Sequence, residues 1–74
     1  MSEQTYQKGE KVVVDCLTEQ LRKLNIQDLL PGDSVYIIKL DYTDDGIEYY
    51  QVSENSKSKY GYIIPENFLN KKQL

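Results

Sequence analysis

The chain has 74 residues, nine basic and twelve acidic for a net charge of −3, with one cysteine and no histidine. A chain this short makes a single domain that buries about 60–65% of its unfolded surface, with a net stability of about 5 kcal/mol. The missing histidine excludes Ser-His-Asp and Cys-His pairs and imidazole metal ligands, the lone Cys16 excludes an internal disulfide, and the acidic balance argues against nucleic acid as a partner.

Residues 1–8 are polar and aperiodic, which predicts a disordered N-terminal arm. They lack the basic region and apolar core of a leader, and no apolar run in the chain approaches the ~18 residues needed to span a bilayer. The expectation is a cytoplasmic protein without a membrane partner, its folded domain over 9–70 and a flexible tail over 71–74. Lys11-Val-Val-Val-Asp-Cys-Leu17 is dense in β-branched residues and predicts the first strand. In Thr18-Glu-Gln-Leu-Arg-Lys-Leu-Asn25, Leu17, Leu21 and Leu24 recur at helical spacing. Thr18 suits the helix start, Glu19 the positive end of the dipole and Arg22 and Lys23 the negative end, while Asn25 tolerates the left-handed conformation of a helix exit. One or two helical turns are therefore expected within the first long connection.

Asp28-Leu-Leu-Pro-Gly-Asp33 reads as a turn, with proline presetting φ at its second position. It launches a strand over 34–40, in which Val35 and Ile37 share one face and Tyr36 and Ile38 the other. Asp44-Asp-Gly46 supplies the Asp-Gly pair of tight hairpins, and Ile47–Ser53 returns antiparallel. The polar segment 54–59 then leads to a strand over 60–64, which Pro65 ends because it has no amide to donate. Pro65-Glu-Asn67 is expected to form one tight turn, after which Phe68 and Leu69 begin a last short strand.

Four stretches in this order resemble the Src-homology 3 (SH3) family across residues 12–69. Val12-Val-Val-Asp-Cys16 stands at the family's Ala-Leu-Tyr-Asp-Tyr stretch, keeping the aspartate and neither tyrosine. Leu29-Leu-Pro-Gly-Asp-Ser-Val-Tyr-Ile37 looks like its diverging turn. Tyr49-Tyr50 stands at the paired tryptophans, with Val52 at the core residue that follows. Ile64-Pro-Glu-Asn-Phe-Leu69 resembles the closing hydrophobe-Pro-Ser-Asn-Tyr-Val. Gly61 lies one residue farther from the proline than in the family, which suggests a bulge or register change. The resemblance implies an all-β fold, a small five-stranded SH3-like barrel with a short helical turn in its first connection. It also implies a shallow groove for proline-rich peptides, carried here by Val14, Cys16, Tyr49, Pro65 and Phe68, with Asn67 as a polar contact.

Six tyrosines, Tyr36, Tyr42, Tyr49, Tyr50, Tyr60 and Tyr62, crowd the two hairpins and offer either a protein-binding face or plain coverage of the sheets. Asp41-Tyr-Thr-Asp-Asp-Gly46 imitates a calcium loop in part, but Val52 stands where the closing glutamate belongs, so a hairpin turn is the better reading. Cys16 has no basic group nearby in sequence to lower its pKa and reads as a small apolar residue. No metal, cofactor or catalytic residue is predicted. The functional expectation is a non-catalytic protein-interaction module. The alternative is an assembly role through a strand edge or the tyrosine-rich face, or a small bacterial or phage-encoded regulator of a host protein.

Overall fold

A computed structural model describes residues 5–55 and 57–71. The chain forms one five-stranded antiparallel sheet: β1 (Lys11–Val14), β2 (Ser34–Asp44), β3 (Ile47–Ser53), β4 (Tyr62–Pro65) and β5 (Leu69–Lys71). A six-residue helix α1 (Thr18–Lys23) lies between β1 and β2, and a 3₁₀ turn (Glu66–Phe68) joins β4 to β5. The sheet order is β4-β3-β2-β1-β5. The expected all-β class therefore holds, whereas the expected barrel is not closed by hydrogen bonds: among the described residues β4 and β5 do not pair. No helix among the described residues is long and apolar enough to cross a membrane.

Alternation explains the core. Val12 and Val14 of β1, Val35 and Ile37 of β2, Tyr50 and Val52 of β3, Ile64 of β4 and Leu69 of β5 all face inward. Leu21 of α1 caps this core together with Ile26 and Leu29 of the first connection. Each such aliphatic side chain contributes about 1.5–3 kcal/mol when fully buried. Leu40 packs on the same core although it has the opposite parity to Val35 and Ile37. The reason is a register shift between Ile37 and Lys39, and a second shift between Leu40 and Tyr42 turns Tyr42 outward. Such bulges rotate a strand's faces by one residue each. Pairing with β3 continues past them and carries β2 four residues beyond its predicted end at Leu40, to Asp44.

Local turn chemistry is obeyed closely. Asp44 pairs with Ile47 across the two-residue loop Asp45-Gly46, whose φ values of 53° and 79° are those of the mirror-image turn that matches strand twist. Asn25 leaves α1 at φ 63°. The helix start differs from expectation: Leu17 is the cap, and the Gln20 carboxamide accepts its amide hydrogen at 2.9 Å, with Thr18 already inside the helix. Consequently β1 ends at Val14, three residues before the predicted Leu17. The anomaly at Gly61 has a physical reason, since a Cβ there would lie 1.9 Å from the Val52 carbonyl oxygen. Only glycine permits this approach of the chain to β3.

The sharpest departure concerns the predicted arm. Residues 1–4 and the tail residues 72–74 lie outside the described residues, but Thr5 and Tyr6 are docked and Tyr6 is 5% exposed. Its ring meets that of Tyr50 edge-on, with centroids 5.5 Å apart. Lys71, assigned to the tail by its polarity, is instead the last residue of β5 and pairs with Val12.

Candidate functional site

Tyr49 alternates with inward Tyr50 and so stands on the outer face of β3, half-buried. Its neighbours across the strands are Tyr42 on one side and Pro65 on the other. The Tyr42 and Tyr49 rings stack at 4.5 Å with 7° between their planes. Desolvation first, then Tyr49, Asp44 and Asp41, push the Tyr42 hydroxyl above the ordinary tyrosine pKa. A pair of stacked aromatic rings thus runs over β2 and β3 beside the end of β4, with a hydroxyl on each ring.

Pro65 fixes how the chain leaves β4. Its φ of −65° and ψ of 149° are extended, and it sits immediately before Glu66, Asn67 and Phe68. These three residues form the 3₁₀ turn, where a single tight turn over 65–67 was expected. Asn67 is exposed, while Phe68 is half-buried and packs on the core. The Phe68 carbonyl accepts the Asp15 amide hydrogen at 2.8 Å, which ties the turn to the end of β1.

The six residues expected to line a groove therefore divide. Tyr49 and Pro65 are direct strand partners, and Asn67 and Phe68 follow in the adjoining turn. Cys16 is half-buried against the core, its thiol pushed above the usual cysteine pKa by burial and then by Asp15, so it is held protonated. Val14 is 1% exposed, locked inward by pairing with Leu69, and offers no side-chain surface to a partner. The wall expected there is absent, and no pocket forms among the described residues. What remains is a shallow face.

Polarity hid a second cluster from sequence reasoning. The Thr5 amide donates to Glu48 Oε1 at 2.9 Å, and the Thr5 hydroxyl donates to Glu66 Oε2 at 2.6 Å. Glu66 Oε1 also accepts the Glu48 amide hydrogen at 3.3 Å. The Tyr6 amide donates to the Tyr50 hydroxyl at 3.1 Å, the Tyr50 hydroxyl donates to the Glu48 carboxylate, and the Tyr6 hydroxyl donates to the Leu69 carbonyl at 3.0 Å. These bonds stabilise ionised Glu48, and its pKa falls below the usual carboxylate value, led by the Thr5 amide. Burial and the bond to Glu48 push Tyr50 up to about 12. The one signal available in the sequence was a single aromatic, Tyr6, within an otherwise polar segment.

No protein-family model, curated protein or solved structure matches the chain.

Proposed function

We propose that the protein is a non-catalytic interaction module of SH3-like fold that binds a peptide or protein segment on the face centred on Tyr49. The observation that carries this reading is the stacked Tyr42-Tyr49 pair, which stands across from the end of β4 at buried Pro65 and so beside the turn bearing exposed Asn67 and half-buried Phe68. Rigid aromatic surfaces bind extended chains with little loss of entropy on the protein's side. Supporting the SH3-like assignment are the strand order, with β5 returning beside β1, and the 3₁₀ turn between the last two strands. With Val14 and Pro65 both buried, the face has one aromatic wall, so recognition rests on Tyr49, Asn67 and Phe68 and not on a two-sided groove.

The test is NMR shift mapping with a panel of peptides, proline-rich sequences included. Shifts confined to Tyr49, Glu66, Asn67 and Phe68, and lost in Tyr49→Ala, are the expected result. A panel that moves none of these amides sinks the reading.

A second reading rests on a separate observation. Among the described residues the sheet has two unpaired edges, β4 and β5, and β4 displays exposed Ile63. Such an edge is a template for adding a strand from a second copy. Sedimentation that depends on concentration and is abolished by Ile63→Lys would favour this assembly role.

A further inference from the structure

The gap between β4 and β5 is spanned by Thr5 and Tyr6. Thr5 joins β3, through Glu48, to the first residue of the 3₁₀ turn, Glu66. Tyr6 joins β3, through the Tyr50 hydroxyl, to β5 at the Leu69 carbonyl. Two consecutive residues thus hold the turn at its beginning and at the residue just after its end, Glu66 and Leu69. Between these anchors lie Asn67 and Phe68 of the candidate face. A turn of three residues with no ladder partner of its own has few internal restraints.

We infer that Thr5 and Tyr6 form a latch that sets the order of the binding face from outside it, by clamping the 3₁₀ turn and β5 against β3. This rests on the interaction reading for its functional meaning, because the face being held is the one proposed to bind. The latch itself is a property of the fold. Besides the buried Tyr6 ring and the two hydrogen bonds from main-chain amides to Glu48 and Tyr50, it is held by the Thr5 hydroxyl on Glu66 and the Tyr6 hydroxyl on Leu69. These two hydroxyl bonds can be removed with the ring still packed, so it can be loosened without removing a strand. The chain turns at Gln7–Glu10, where the Glu10 amide donates to the Gln7 carbonyl at 3.0 Å; the far half of this turn is anchored separately by the Gly9 amide on the Ile37 carbonyl at 2.7 Å. Release of Thr5 and Tyr6 would leave that second anchor in place. Anything that engages the chain around Thr5 would then weaken the face, whereas a ligand that orders the turn would tighten the latch, since coupling between sites is reciprocal.

The experiment is amide hydrogen exchange on the whole chain carrying Thr5→Val and Tyr6→Phe together, which removes two hydroxyl donors and keeps the shape of both side chains nearly unchanged. Leu24→Ala, at a half-buried site packed on the core cluster and making none of the latch's hydrogen bonds, serves as a control for general destabilisation. Exchange of the Asp15 amide, whose acceptor is the Phe68 carbonyl, should accelerate by about two- to tenfold more than exchange of the β2–β3 ladder amides. Leu24→Ala should raise both alike. Uniform acceleration in the latch variant, or none, overturns the inference. The readout needs no ligand, so selective exchange in a protein whose Tyr49 face binds no peptide would remove the interaction reading and leave the latch standing.

Discussion

The β2–β3 hairpin and the corner where Thr5 and Tyr6 meet β3, the 3₁₀ turn and β5 are held together by different means. The hairpin is local: Asp44 and Ile47 close a two-residue loop, and the pairs Thr43–Glu48 and Tyr42–Tyr49 follow from that register up to the first bulge. The corner joins residues far apart in the chain, 43 positions between Thr5 and Glu48 and 63 between Tyr6 and Leu69. Its bonds come from hydroxyls, carboxylates and a few main-chain groups with no ladder. A hairpin propagates from a nucleus in its turn, whereas such a corner forms only once the rest of the sheet is in place. The face proposed for binding draws Tyr42 and Tyr49 from the first region and borders the second through Phe68.

The most direct way to break this comparison is to empty the corner. Tyr6→Ala removes a 5% exposed ring and its hydroxyl bond to Leu69 while keeping the hydrogen bond of its amide to Tyr50, and large core truncations cost about 3–5 kcal/mol. Since a domain of this size has about 5 kcal/mol in total, the variant should be largely unfolded or close to it by urea denaturation. A loss below ~1 kcal/mol would mean that the corner is an ornament on a sheet stable without it.

Alkaline titration probes the same corner without a mutation. Tyr50 has its pKa raised from 10.0 to about 12 in the fold. A raised pKa means that the folded state favours the protonated phenol, so the stabilisation is complete below pH 10 and is lost as pH rises toward 12. The loss is on the order of 2–3 kcal/mol, and Tyr6, raised by burial and then by Glu10, Glu66 and Asp15, shifts in the same direction. Stability measured by denaturant at stepped pH should fall across this window in the wild type and fall less in Tyr50→Phe. Equal slopes in the two proteins would show that Tyr50 ionises as freely folded as unfolded. At the acid end Glu48 has the opposite sign, and its contribution, present above the ordinary carboxylate pKa, is lost as pH drops through its lowered value.

This contrast also accounts for what the sequence reveals. Asp45-Gly46, Pro31-Gly32, the alternation through Val35 and Ile37 and the exit of the helix at Asn25 are fixed by residues within a few positions of each other, and each matches its expectation. The bulges in β2 have no local marker, so the inward turn of Leu40 and outward turn of Tyr42 are invisible before pairing is known. Val14 was legible as strand but not as core, because its side of the sheet depends on β5 arriving next to it. Of the candidate site, Tyr49, Pro65, Asn67 and Phe68 were found through chain-local motifs. Tyr6, Glu48 and Glu66 escaped because a polar hydrogen-bonded cluster has no periodicity.

The mildest perturbation compares the two regions on equal terms. Gly46 in the hairpin loop has φ +79° and Gly9 beside the Thr5–Tyr6 segment has φ +85°, and a Cβ at either would meet nothing within 4 Å. Alanine at either position therefore introduces almost the same backbone strain and no clash, on the order of 1 kcal/mol for a left-handed residue. If Gly9 is as tightly coupled to the sheet as Gly46, through the bond of its amide to the Ile37 carbonyl, both variants should lower stability by similar amounts. The two differ in where the strain can escape. The hairpin loop is closed on both sides by the ladder, so Gly46→Ala must either strain the loop or disrupt pairing at Asp44 and Ile47. Gly9→Ala can pass part of its strain to the hydroxyl bonds of Thr5 and Tyr6 while the Tyr6 ring stays buried, which would appear as faster exchange at the Asp15 amide with a smaller global loss. Equal losses of stability with unchanged exchange at Asp15 would instead mean that the corner is as rigid as the hairpin and that its long-range bonds leave it no freedom to open.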